Sequence, residues 1–121
     1  GVGVAPASDV GGGTSLCQLR TLADGYKVLA LQGQRLTAWQ GLYAATRGAA
    51  RVLELEHEIG HFTSGAVADV VVWRWAEGAV QQRRQEMARS LHERLFAWMT
   101  LGDERNVAAT YVRGRLLYKA P

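Results

Sequence analysis

Apolar positions in the first half of the chain recur at helical spacing. Leu16, Leu19, Leu22, Ala23, Tyr26 and Ala30 fall on one face until Gly33 breaks the run, which predicts an amphipathic helix. Thr14 or Ser15 is expected to cap it, since either hydroxyl can accept a bond from an unpaired N–H of the first turn. Thr37 is placed to cap a second helix through Ala38, Leu42 and Ala45, and Thr46 a short third one through Ala49, Ala50 and Leu53. Ahead of these, Val2 and Val4 alternate with small residues up to Pro6. That pattern predicts a strand ending near Ala5, with "SDVGGGTS" as a glycine-rich turn into the first helix.

The pattern changes after Leu55. "IGHFTSGAVADVVVWRW" has glycine punctuation and then the β-branched run Val70-Val71-Val72, a strand signal. Residues 76–89, "AEGAVQQRRQEMAR", are polar and basic and read as a solvated loop or a frayed helical turn. Ser90 and Glu93 form a capping-box pair, and Leu91, Leu95, Trp98 and Met99 supply the apolar stripe of a helix closed by Gly102. "VAATYVRGRLLY" reads as two strands joined at Arg113-Gly114.

Composition narrows the class. A chain of 121 residues with 48% hydrophobic and 21% charged positions supports a single folded core and is far from the signature of disorder. The net charge of +3 comes from 14 basic and 11 acidic residues without a basic stripe interleaved with aromatics, so no nucleic-acid partner is expected. No apolar run approaches the roughly 18 residues of a membrane span, so no membrane partner is expected either. Cys17 is the single cysteine, which rules out an internal disulfide and a multi-cysteine zinc module and fits a reducing, cytoplasmic address. The first residue is glycine, and the chain opens on a strand-like segment, so a polypeptide extending upstream is expected.

His57-Glu58-Ile59-Gly60-His61 matches the zinc-protease pattern H-E-x-x-H. That motif works only on a helix, where four residues make about one turn and both imidazoles share a face. Gly60 inside it, β-branched Ile59 and the "FTSG" that follows all oppose a helix. The expectation is a surface turn anchored by Ile59 and Phe62, with His92 too remote in sequence to be a planned third ligand. Trp39, Trp73, Trp75 and Trp98 are spread over different elements and read as packing residues rather than a stacking platform. Arg113 and Arg115 read as solvated turn residues. Cys17, on the first turn of a helix beside the glycine-rich loop, reads as a small packed side chain before a reactive thiol.

Asp9 is a candidate by position alone. It sits past a strand end and before a glycine-rich turn into a helix, where functional carboxylates gather in parallel β/α architectures. A turn-forming aspartate occupies the same kind of position. Gly11-Gly12-Gly13-Thr14 lacks the lysine and spacing of a phosphate-binding P-loop.

Three stretches resemble the metal-dependent amidohydrolases, in their guanine-deaminase branch. "SDVGGGTS" with the following "LRTLADGYKVLALQGQRLTAWQGLYAATRGAARVL" is similar to the end of the catalytic barrel. Ile59, Gly60, Gly65, Ala68, Asp69 and Val72 match the segment I-G-x-x-x-x-G-x-x-A-D-x-x-V. "MTLGDER" and "TYVRGR" are the most discriminating pieces. The resemblance covers essentially the whole chain but only the last quarter to third of such an enzyme.

The resemblance implies an α/β chain. Residues 1–55 would be the last strand-helix units of a (β/α)8 barrel, and residues 56–121 part of a small β-sandwich with one capped helix at about 90–101, incomplete on its own. It further implies zinc-dependent hydrolysis of guanine to xanthine and ammonia by a homodimeric parent, with one divalent ion per site. Asp9 is then the match to the carboxylate that binds metal, takes the proton and contacts substrate. The other metal ligands, the catalytic glutamate and the purine-binding side chains have no match in the chain. Pro6-Ala7 and Leu16-Cys17-Gln18 depart from the branch's usual residues and bear on the shape of the pocket. The alternatives are an aminohydrolase of the same superfamily acting on another heterocyclic amine, and a free-standing, non-catalytic interaction module.

Overall fold

The computed structural model describes residues 2–9 and 11–121. Three helices open the chain: α1 (Gln18–Leu31), α2 (Ala38–Ala45) and α3 (Arg47–Val52). Then follow β1 (Val70–Trp73), α4 (Gly78–Glu86), α5 (Leu91–Leu101), a 3-10 turn (Glu104–Asn106), β2 (Val107–Val112) and β3 (Arg115–Lys119). The strands form one antiparallel sheet in the order β1-β2-β3. α4 and α5 lie in the crossover between β1 and β2.

The core forms where α1 meets α2 and α5. Leu19, Leu22 and Ala23 of α1, Ala38 of α2, and Leu95, Ala97 and Met99 of α5 are buried together. Fully burying one such leucine or methionine contributes about 1.5–3 kcal/mol. Two glycines let these helices approach. A Cβ at Gly41 would stand 2.7 Å from Met99 Sδ, and one at Gly102 would stand 2.6 Å from Leu19 Cδ1. Tyr26 of α1 meets Phe96 of α5 edge-on at 5.1 Å, and Trp73 of β1 meets Trp98 at 5.3 Å, tying α5 to the sheet as well. Packing thus runs without a break from residues 18–45 to residues 91–101.

Several local expectations are met. Thr37 caps α2 in a full capping box with Gln40. The β2–β3 turn is Arg113-Gly114, both with positive φ as a tight hairpin requires. The Ser90–Glu93 box is met by half: Ser90 Oγ accepts from Glu93 N at 3.2 Å, but Glu93 Oε2 accepts from Arg89 N at 2.7 Å and not from Ser90 N.

Others are corrected. Residues 2–9 form no strand, because no described strand lies beside them to share a ladder. α1 starts at Gln18 behind Cys17, and Thr14 and Ser15 stand outside it; Ser15 Oγ accepts from Cys17 N, and Leu16 is solvent-exposed. Thr46 is the N-cap of α3, but its hydroxyl donates backwards to Leu42 O and gives α3 no side-chain cap. Residues 78–86 are a helix rather than a loop.

Its anchors are polar. Gln81, the one buried residue of α4, accepts from Glu77 N and donates to Leu101 O at 2.8 Å each, and Gln85 donates to Arg94 O at 3.0 Å. Phe62 is 90% exposed instead of anchoring its turn, since Gly60 takes the close contact there, against Ala50 Cβ. Leu91 is exposed as well, and Ala97 takes its place in the buried stripe of α5.

The segment "MTLGDERN" is the joint between helices and sheet. Asp103 caps the 3-10 turn and accepts from Arg105 through N, Nε and Nη2 at 3.0, 2.9 and 2.7 Å. Arg20 of α1 stands 3.6 Å from the same carboxylate and 3.4 Å from Glu104. Asn106, with no exposed surface, donates to Arg74 O at 3.1 Å and to Gln81 Oε1 at 2.8 Å, and accepts from Asp103 N at 3.0 Å. These bonds join β1, α4, α5 and the start of β2.

The Arg105 guanidinium holds the Asp103 carboxyl below the ordinary carboxylate value, against the upward push of burial. A depressed folded value means that the stabilisation is full above the unfolded carboxylate pKa of about 3.9 and fades as pH falls through the lower folded value. Asp103→Asn is expected to flatten that acid limb and to cost about 1 kcal/mol at neutral pH. Denaturant midpoints of the two proteins between pH 7 and pH 3 check this.

Candidate functional site

Asp9 lies on the exposed segment between Pro6 and α1. Among the described residues, no hydrogen bond uses either of its carboxylate oxygens, so the group is open to an incoming partner. The loop that follows folds back beneath it. A Cβ on Gly12 would run into Asp9 Oδ2, and one on Gly13 would come within 2.7 Å of Asp9 O and 2.8 Å of Asp9 N. Side chains at either position would displace the carboxylate or its backbone. The glycines therefore form a bare seat for Asp9, which is exposed.

Both flanks of this seat are tied to α1. Gln18 Nε2 donates to Pro6 O at 2.9 Å, and Thr14 Oγ1 donates to Asp24 Oδ2 at 2.6 Å. Lys27 Nζ donates to the second Asp24 oxygen at 3.0 Å. The Thr14 hydroxyl, followed by Lys27, holds the Asp24 carboxyl below its ordinary value. Cys17 is buried at the start of α1.

The structure does not gather the remaining candidates around Asp9. Residues 56–61 are turns and bends, Gly60 has φ +80°, and His61 Nδ1 accepts from Thr63 N at 3.2 Å. Neither the helix nor the shared face that H-E-x-x-H needs is present. His92 is exposed on α5. Among the described residues, no three His, Cys, Asp or Glu side chains come together as a metal cage. Of the tryptophans, Trp73 and Trp98 pack on each other and Trp75 lies 4.6 Å under the Arg94 guanidinium, while Trp39 is half-exposed on α2. Arg113 and Arg115 are exposed.

The matched segment Ile59–Val72 is structural. Gly60 approaches Thr46 O and Arg47 Cα where α2 meets α3. Asp69 Oδ1 accepts from Arg113 N at 2.8 Å, and Ala68 O accepts from Gly114 N at 2.9 Å, so this pair holds the hairpin turn. What sequence reasoning missed are Thr14, Gln18 and Asp24, the fastenings of the Asp9 loop. Their only signal was position: a hydroxyl directly after the glycines and polar side chains on the first two turns of the helix that follows.

A family profile, that of the amidohydrolases, matches residues 1–117. The chain belongs to the amidohydrolase family. Within it, the chain is similar to the guanine deaminase of Escherichia coli (strain K12), with 46% identity over 98% of this chain and 27% of that protein. The solved E. coli guanine deaminase superposes with a TM-score of 0.96 at 45% identity, over 99% of this chain and 28% of that one. A guanine deaminase from Bradyrhizobium japonicum gives 0.84 at 29% identity, over 93% of this chain and 30% of that one. An adenosine deaminase from Xanthomonas campestris, solved with bound zinc, gives 0.57 at 25% identity over 81% of this chain and 20% of that one. The chain spans just over a quarter of the length of the curated relatives it matches. Its mixed α/β fold with a three-stranded antiparallel sheet is the fold of the corresponding part of guanine deaminase.

Proposed function

We propose that this chain is the C-terminal part of a guanine deaminase, in which residues 1–55 complete a (β/α)8 barrel and residues 56–121 contribute to a small β-sandwich. Asp9 is its one contribution to the hydrolytic centre. The parent converts guanine to xanthine and ammonia. The observation that carries this is the open carboxylate of Asp9 on its glycine seat, in a chain that superposes on E. coli guanine deaminase with a TM-score of 0.96.

The donor set agrees with a shared metal centre. A catalytic zinc ordinarily takes three protein ligands and keeps one position for water. One carboxylate beside Gly12 can serve as a single oxygen ligand, with room left by the missing side chain, and the remaining ligands belong to polypeptide outside this chain. When bound, zinc lowers the pKa of its water toward neutrality. The work of this chain's own residue is proton transfer: an Asp9 oxygen accepts a proton from the attacking water and returns it to the departing amine. The glycines beneath it carry no side chain that would crowd the carboxylate while the purine approaches.

The full-length protein is expected to release ammonia from guanine and to lose this activity to a chelator. The 121-residue chain alone is expected to release none, since a lone carboxylate holds no catalytic ion. An ammonia-release assay of both on guanine, adenine and an aminotriazine checks this. Turnover of a ring amine other than guanine, with guanine untouched, contradicts the substrate; turnover by the isolated chain contradicts the division of the site.

A further inference from the structure

Three successive glycines give a loop more conformational freedom than any other residues would. A metal-binding carboxylate gains from the opposite, a fixed place. The structure supplies restraint at a distance. Thr14 ends the glycine run, and its hydroxyl reaches ten residues along the chain to Asp24 at 2.6 Å, the length of a charge-assisted O–H···O⁻ bond. Lys27 holds the other oxygen of Asp24, so the acceptor is itself braced on α1. Holding Thr14 ties down one end of the glycine run and so narrows the positions open to Gly13 and Gly12, against which Asp9 rests. The ligand-bearing loop is thereby referenced to α1, whose Leu19, Leu22 and Ala23 are locked into the core.

We infer that the Thr14–Asp24 hydrogen bond is a positioning device for the Asp9 carboxylate, acting through the Gly12-Gly13 seat and resting on the reading of Asp9 as a metal ligand. Thr14 and Asp24 are positioning residues, with no contact to the reacting atoms assigned to them.

The test is zinc affinity of the full-length protein, measured by competition with a chromophoric chelator, with thermal midpoints recorded alongside. Thr14→Val is expected to weaken zinc binding about tenfold at an unchanged midpoint, the low end of what losing a supporting hydrogen bond costs a metal site. Thr14→Ser restores the affinity because it restores the hydroxyl. Asp24→Ala reproduces the loss, and the Thr14→Val/Asp24→Ala double variant loses no more than either single one, as members of one bond must. Asp9→Ala, measured in parallel, weakens zinc at least as much. Wild-type affinity in Thr14→Val and Asp24→Ala, or additive losses in the double variant, overturns the positioning role while leaving Asp9 as ligand. Wild-type zinc affinity in Asp9→Ala overturns the ligand reading instead.

Discussion

Asp9→Asn in the full-length protein is expected to lower kcat for guanine by about 10²–10⁴-fold, the usual worth of a positioned proton acceptor. The amide keeps an oxygen that can lie near a metal but cannot take a proton at neutral pH. KM should therefore move much less than kcat, which marks the loss of an interaction made in the transition state. Asp9→Ala removes the oxygen as well, and zinc retention should fall together with turnover. Steady-state kinetics and metal content of the two variants separate proton transfer from metal binding.

Asn106→Leu is expected to be the most damaging single substitution for folding, at about 2–4 kcal/mol. It leaves the fold's most completely buried polar position without hydrogen bonds. Arg74 O loses the Asn106 donor, Asp103 N loses its acceptor, and Gln81 Oε1 keeps only Glu77 N. Gln81 in turn secures the end of α5 at Leu101, so the loss spreads from the sheet into the helices. Urea unfolding of the full-length protein, followed by the fluorescence of the Trp73–Trp98 pair beside this joint, measures it. A midpoint equal to wild type would mean that the network is not what couples sheet to helices.

The elements written in apolar periodicity were legible in advance. Leu19, Leu22 and Ala23 announce α1, Gly33 its end, and Thr37 the start of α2, because burial and capping are local rules. The Arg113-Gly114 turn was legible for the same reason. α4 was not, since its sole buried side chain is Gln81 and polar bonds to residues 77, 101 and 94 hold it in place. Such bonds join positions far apart in sequence and leave no period to read. The strand pattern of Val2 and Val4 points the other way, to a sheet that residues 2–9 do not find among the described strands.

Asp9 was legible in part. Its place before three glycines and a helix suggested chemistry but fitted a simple turn better, and resemblance to the amidohydrolases supplied the role. The seat itself was invisible, because nothing in "DVGGGT" says that Gly12 lies under the carboxylate or that Thr14 reaches Asp24. The histidine pair shows the reverse case. A pattern that matches a metal motif letter for letter fails because α3 has already ended at Val52, so residues 57–61 lie in turns and bends and not on the helix the motif depends on.

The central claim is that the Asp9 carboxylate is a ligand of the hydrolytic metal. The most direct measurement is anomalous diffraction at the zinc edge from crystals of the full-length protein. The account predicts one zinc site with an Asp9 oxygen at about 2.0–2.2 Å, the ordinary zinc–carboxylate distance. A zinc fully ligated by other residues, with both Asp9 oxygens beyond bonding distance, would contradict it.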